Sequence, residues 1–174
     1  VHIDVIRHPR IANFTDFDAL ADEPDVSLRY IERPDGLIPD AILIPGTKST
    51  IADLRQLKKA GFAEHIHRCH ENGGTIAGIC GGFQMMGATL RDPHHVESSA
   101  DGEAGLGLLP TETIFCEEKQ TARVRGTHLE SGAEVSGYEI HMGQTSGGQR
   151  PAFEITERLG NEVAEMDGAS AAGG

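Results

Sequence analysis

Gly74-Thr75-Ile76-Ala77-Gly78-Ile79-Cys80-Gly81-Gly82-Phe83-Gln84-Met85-Met86-Gly87 decides how this chain is read. Thr75 to Ile79 is a short apolar run of the kind that fills a buried parallel strand. From Gly81 the residues read as a helix, predicted to reach Leu90. Between the two lies Gly78-Ile79-Cys80-Gly81-Gly82. Small neighbours there permit a strained strand-to-helix turn that lifts one side chain out of the sheet, the geometry of a nucleophile elbow. A thiol at that point sits at a helix N-terminus, where backbone dipoles favour thiolate over thiol. The Gly81 amide would face an oxyanion formed beside the sulfur. The plain alternative is a buried Cys in a Gly-rich turn. Three glycines and the placement favour the nucleophile.

Upstream of the elbow, short apolar runs alternate with amphipathic stretches, the pattern of a parallel α/β sheet. Val1 to Arg7, Val26 to Glu32 and Asp40 to Ile44 read as strands. Ile51, Leu54 and Leu57 lie three apart, and Lys58 and Lys59 suit a helix C-terminus. A second helix, Phe62 to Glu71, stops at Asn72-Gly73-Gly74. Downstream, Asp92 to Gly107 reads as a polar loop. Thr111 to Glu117, Thr121 to Leu129 and Glu134 to Met142 alternate like antiparallel strands, and Phe153 to Glu157 reads as another. Gln144 to Gln149 reads as a loop and Asp167 to Gly174 as featureless. The expected architecture is α/β: a doubly wound, mostly parallel sheet carrying a β-rich C-terminal extension.

Composition sets limits. The 174 residues suit one compact domain, and with 38% hydrophobic residues, 5% aromatics and no Trp the core must be aliphatic. The longest apolar runs fall far short of the ~20 residues that span a bilayer. Three Cys, an odd number, fit free thiols in a reducing cytoplasm. The net charge is −12; up to Arg91 there are 10 Lys/Arg against 12 Asp/Glu, and after it 5 against 15. Such a surface repels phosphate backbones, so no nucleic-acid partner is expected, and no membrane partner either.

Other candidate chemistry is weaker. Pro45-Gly46-Thr47-Lys48-Ser49-Thr50 superficially looks like a phosphate loop, but Thr47 replaces the Gly before Lys and no Gly lies five residues before it. It reads better as a second source of oxyanion amides, Gly46 first, or as a turn with Thr47 or Ser49 capping the next helix. His65, His67, His70 and Cys69 crowd one helix, yet His65 and His67 point about 160° apart. A solvated helix face is the expectation, and no metal site. His141, in Gly137-Tyr138-Glu139-Ile140-His141-Met142-Gly143, ends a predicted strand and carries more weight.

The sequence resembles the glutamine amidotransferase domain of cobyric acid synthases, the cobalamin-pathway members of the class I amidotransferases, over nearly its whole length. Four stretches carry the likeness in the family's order: Pro9 to Leu20, Pro39 to Thr50, Gly74 to Gly87 and Gly137 to Gly143. The resemblance implies a flavodoxin-like fold and a cysteine that attacks the side-chain amide of glutamine, releases ammonia and leaves a glutamyl thioester. It implies Cys80 as nucleophile, Gly46 and Gly81 as oxyanion donors, and Gln84 and His141 on the glutamine side. Ammonia would pass to an N-terminal ATP-dependent synthetase domain that amidates corrinoid carboxylates. ATP and Mg belong to that domain, and no cofactor is expected in this one.

The family's catalytic histidine lies in a Gly-Thr-Tyr-x-His-Gly type segment beyond an acidic Asp-Gly turn. Met166-Asp167-Gly168-Ala169 fits the approach, but no such segment follows it. Gly126-Thr127-His128-Leu129 is a decoy, with His where the family has Tyr. Either the chain stops short of the base or the base is lost by divergence. Two other functions stay open: a non-catalytic regulatory or docking domain of the same fold, and the glutaminase subunit of a Mur-ligase-type cell-wall amidation complex. A dienelactone-type cysteine hydrolase shares Gly-x-Cys-x-Gly but needs a downstream Asp and His on further strands.

Overall fold

The computed structural model describes residues 1–148 and 150–171. The chain forms two compact units, Val1–Met86 and a second that begins at Gly87.

The first unit is a four-stranded parallel sheet in the order β2-β1-β3-β4, with β1 His2–Ile6, β2 Ser27–Ile31, β3 Ala41–Ile44 and β4 Thr75–Gly78. That order places β1 and β3 in the interior, as doubly wound folds do. Val5, Ile42 and Ile44 are fully buried, which accounts for their continuous apolar runs. After a short helix α1, Asp18–Ala21, the helices α2, Thr50–Lys59, and α3, Phe62–Glu71, follow the predicted spans closely. Ile51, Leu54 and Leu57 form the buried stripe of α2. Helix α3 ends at Asn72, whose side chain donates to the Arg68 carbonyl at 2.7 Å, and Gly73 turns the chain with φ +83°.

Helix α4 is shorter than the sequence predicts, Gly81–Met86 rather than continuing to Leu90. The next backbone groups are claimed elsewhere. The Gly87 carbonyl accepts from Gly107 at 2.9 Å, and the Ala88 N–H donates to Thr111 at 2.8 Å. Residues Thr89–Arg91 then form strand β5, with Leu90 fully buried. Sheet pairing overrides helical spacing here.

The second unit holds a six-stranded, largely antiparallel sheet, with order β10-β9-β7-β5-β6 and β8 paired to β7. The strands are β6 Gly102–Ala104, β7 Glu112–His128, β8 Glu134–Ser146, β9 Phe153–Arg158 and β10 Asn161–Asp167. Four expectations change. The loop from Asp92 contains β6, and the two strands expected between Thr111 and Leu129 are one, β7, running through a polar stretch past a register shift between Ile114 and Lys119. Strand β8 runs on to Ser146, into the expected loop, and β10 went unread because its burial does not alternate cleanly. Gln149 and residues 172–174 lie outside the described residues.

One close approach fixes the junction of β4 and α4. A Cβ at Gly82 would overlap the Ile44 carbonyl, and one at Gly78 would lie 2.6 Å from the backbone of Gly82 and Phe83. We expect Gly82→Ala to destabilise the protein by about 3 kcal/mol, the upper range for overpacking. Gly137, with nothing within 4 Å of a built Cβ, supplies the control. Urea melts decide it, since equal midpoints for Gly82→Ala and Gly137→Ala would refute the packing account.

Candidate active site

Cys80 lies between β4 and α4 with φ +52°, a left-handed conformation that non-glycine residues seldom adopt. Hydrogen bonds hold the turn on both sides. The Ile79 N–H donates to Ile44 at 3.0 Å, the Gly82 N–H to Ile79 at 2.9 Å, and the Gln84 N–H to the Cys80 carbonyl at 3.0 Å. The strained residue thus turns outward, and Cys80 is exposed. This is the elbow expected from Gly78, Gly81 and Gly82.

The loop after β3 passes beside it. A Cβ on Gly46 would stand 3.5 Å from Cys80 Cβ and 3.7 Å from the Ile79 carbonyl, so the Gly46 backbone borders the thiol. A Cβ on Gly81 would meet Thr47 Cγ2 at 2.8 Å, Thr50 Oγ1 at 3.2 Å and the Thr47 nitrogen at 3.3 Å. Gly46, Thr47, Cys80 and Gly81 therefore converge.

A buried carboxylate anchors that loop. Asp53, in the first turn of α2, is fully buried. Its Oδ2 lies 2.5 Å from the Thr47 hydroxyl and 3.3 Å from the Arg10 N–H, while Arg10 Nη1 donates to Oδ1 at 2.8 Å. The Ser49 N–H donates to Thr47 Oγ1 at 3.1 Å. The alternative reading, with Thr47 or Ser49 capping α2, does not hold: Ser49 is the N-cap residue without a side-chain cap bond, and the Thr47 hydroxyl goes to Asp53. On the other side, Ala12 N–H donates to the Gly46 carbonyl at 2.9 Å and Lys48 N–H to the Arg10 carbonyl at 3.1 Å. His8 is buried behind the loop. Burial pushes its pKa down, against the opposing pull of the Asp53 charge and a hydrogen bond to the Pro45 carbonyl. A cleft of about 610 Å³, lined by residues including His8, Asp53 and Gln56, contains neither Cys80 nor Gly46.

The remaining residues singled out in the sequence separate. Gln84 is buried in α4 and accepts from Thr50 Oγ1 at 3.3 Å, tying α4 to α2. His141 belongs to the second unit, on β8. Its Nδ1 faces the Gly143 carbonyl at 2.9 Å and its Nε2 faces Glu139 Oε1 at 3.0 Å. Arg158 Nε donates to Glu139 Oε2 at 3.0 Å. Burial works to raise the Glu139 pKa, but the hydrogen bond from His141 and the Arg158 charge prevail and lower it. His128 pairs with Ser131 Oγ at 2.8 Å. The His-rich face of α3 is not wholly solvated: His65 and Cys69 are buried, with His65 3.8 Å from Asp4, whereas His70 is exposed. Sequence reasoning missed Asp53, Arg10 and His8 as parts of the site. A single acid within the apolar stripe of α2 was the available signal.

Residues 2–173 match the CobB/CobQ-like glutamine amidotransferase domain. The chain belongs to that family. It is 47% identical to the cobyric acid synthase of Syntrophobacter fumaroxidans, over 99% of this chain and 35% of that protein. It is 48% identical to the cobyric acid synthase of Clostridium tetani, over 97% of this chain and 34% of the other. The chain spans about a third of the length of these relatives. Two solved structures share the fold. PurLQS from Thermotoga maritima aligns at a TM-score of 0.58, with 16% identity over 97% of this chain and 77% of the other. A structure titled glutamine amidotransferase aligns at 0.54, with 16% identity over 80% and 70%. Membership of the family makes the chain an enzyme domain with glutaminase activity.

In this amidotransferase domain the three free thiols occupy unlike settings. Cys69 is buried, its Sγ 3.4 Å from the Pro39 carbonyl, and burial followed by the charges of Asp4 and Asp40 pushes its pKa up. Cys116 is half-buried and Cys80 exposed. Brief iodoacetamide treatment and peptide mapping should label Cys80 first, at least about tenfold ahead of Cys69, because the thiolate is the nucleophile. Equal labelling of the three would remove the basis for a distinct thiol.

Proposed function

We propose that the domain hydrolyses glutamine through a thioester on Cys80 and supplies the ammonia for ATP-dependent amidation of corrinoid carboxylates. The Cys80 sulfur attacks the carboxamide carbon. Negative charge gathers on the carboxamide oxygen, where the Gly46 and Gly81 amides receive it. The C–N bond then breaks, the proton given up by the Cys80 thiol reaches the nitrogen through solvent so that it leaves as ammonia, and water cleaves the thioester to glutamate and restores the thiol. The observation that carries this reading is the exposed, left-handed Cys80 with Gly46 so near that a Cβ built there would touch the Cys80 Cβ.

Glutamine is the substrate in this reading, with Gln84 on its binding side. His141 is not the base in this scheme, because both ring nitrogens already face acceptors, Gly143 and Glu139. The likeness to a third of each cobyric acid synthase supports a larger synthetase partner, to which this reading assigns ATP and Mg. It also favours this reading over the cell-wall subunit, and the intact elbow favours it over a docking domain. An odd number of cysteines suits a reducing compartment, and this reading puts the enzyme in the cytoplasm.

The test uses the protein with its synthetase. Cys80→Ser should lower glutamine-dependent amidation by at least about 10⁴-fold, the scale for removing a nucleophile, while amidation from added ammonium salt persists. Glutamine-dependent turnover surviving the substitution would overturn the thioester.

A further inference from the structure

We infer that the buried carboxylate of Asp53 is a positioning group for the oxyanion loop, holding the Gly46 backbone beside Cys80 through the Thr47 hydroxyl and the Arg10 strap. The inference rests on the reading of Cys80 and Gly46 as glutaminase machinery.

Gly46 lies beside Cys80, and a glycine there leaves the backbone free to rotate. An amide that must point at a developing charge needs that freedom removed before the reaction, because a donor that reorients during it stabilises less. The constraints lie on both sides of Gly46. The Ala12 N–H pins its carbonyl, and Asp53 pins the next residue through Thr47 Oγ1 at 2.5 Å. Arg10 closes the circuit. It gives Asp53 both its backbone N–H and Nη1, and its carbonyl takes the Lys48 N–H. Ile11 and Thr47 form an isolated antiparallel bridge in the same place.

The position of the carboxylate argues against a solvent-facing role. Asp53 is fully buried on the helix stripe occupied by Ile51, Leu54 and Leu57. A buried carboxylate there is expensive unless its oxygens are satisfied, and the contacts described all come from the strap and the loop. An apolar residue would serve packing alone. The carboxylate does what an apolar residue cannot, which is to bond the loop.

Steady-state glutamine hydrolysis by the protein with its synthetase tests this, with iodoacetamide labelling of Cys80 as the second readout. Thr47→Val removes the hydroxyl at constant shape, and Asp53→Asn removes the charge. Each should lower kcat about 10- to 100-fold, short of the ~10²–10³ for outright loss of an oxyanion donor, with KM within about twofold. Cys80 alkylation, which forms no oxyanion, should keep its rate within about twofold. Thr47→Ser should recover most of the lost kcat, and the double variant should be no worse than Asp53→Asn, since the pair acts as one unit. Wild-type kcat in Thr47→Val and Asp53→Asn, alongside an inactive Cys80→Ser, would overturn the inference and leave the thioester reading intact. Parallel losses in KM and in alkylation would also overturn it, by making Asp53 a support of the elbow. Should Asp53→Asn fail to fold, Thr47→Val, which keeps the Arg10–Asp53 pair, decides. An active Cys80→Ser would bring down both readings together.

Discussion

The contact on which the site depends is backbone against backbone. Where Gly82 meets the Ile44 carbonyl there is no room for a single methyl group, and Gly78 meets Gly82 and Phe83 with as little space. These approaches seat α4 directly on the ends of β3 and β4. A helix so close leaves the connecting residue too little chain for an ordinary turn. Cys80 is forced into positive φ, a conformation that costs on the order of 1–3 kcal/mol and persists only where the surroundings determine it. Exposure of the thiol is a consequence of that packing. It is not an independent property of the cysteine.

The loop beside the elbow solves a different problem. Oxyanion donors must be rigid, yet the residue bordering Cys80 is glycine, the least rigid choice. Rigidity comes from outside the loop, from a carboxylate on α2 and a strap that follows β1. Removing one partner from a buried charge pair leaves the other uncompensated, at roughly 3–5 kcal/mol when both are enclosed. Arg10 is half exposed, so its share is smaller than that. The carboxylate's dependence on Thr47 is correspondingly greater. Strain is stored at Cys80 and order is enforced at Gly46, in two loops that run side by side.

How much of this could be read beforehand follows from the range of the interactions. Strands β1 to β4 and helices α2 and α3 were legible because burial on both faces, or on one stripe, writes itself into apolar spacing. The elbow was legible because close approach demands glycine at 78 and 82, and glycine is visible. The end of α4 was not legible, since nothing local marks Gly87 and Ala88 as partners of Gly107 and Thr111. The continuity of β7 was hidden for the same reason: pairing with β8 carries a strand through residues whose own preference is for a break. Asp53 stood in plain view as an acid amid Ile51, Leu54 and Leu57. Its partners, Arg10 and Thr47, are 43 and 6 residues away, and only the fold brings them together.

The histidines show why residue type alone assigns no role. His8, His65 and His141 meet quite different neighbours. His8 is buried near Asp53 and the Pro45 carbonyl, with Nε2 lacking a partner. His65 packs edge-on to the Phe62 ring, and neither of its nitrogens finds a hydrogen bond. His141 has an acceptor at each nitrogen, and its neighbour Glu139 is bound in turn by Arg158. A general base needs a lone pair within reach of the proton it takes. Both ring nitrogens of His141 already face acceptors on its own strand, at Gly143 and Glu139, and neither is left directed at a substrate proton. His141 thus braces a charged network on β8, while the reading proposed for the first unit rests on a thiol and on amides of a loop that a carboxylate holds. What a side chain faces, more than what it is, divides the reacting groups from those that hold them.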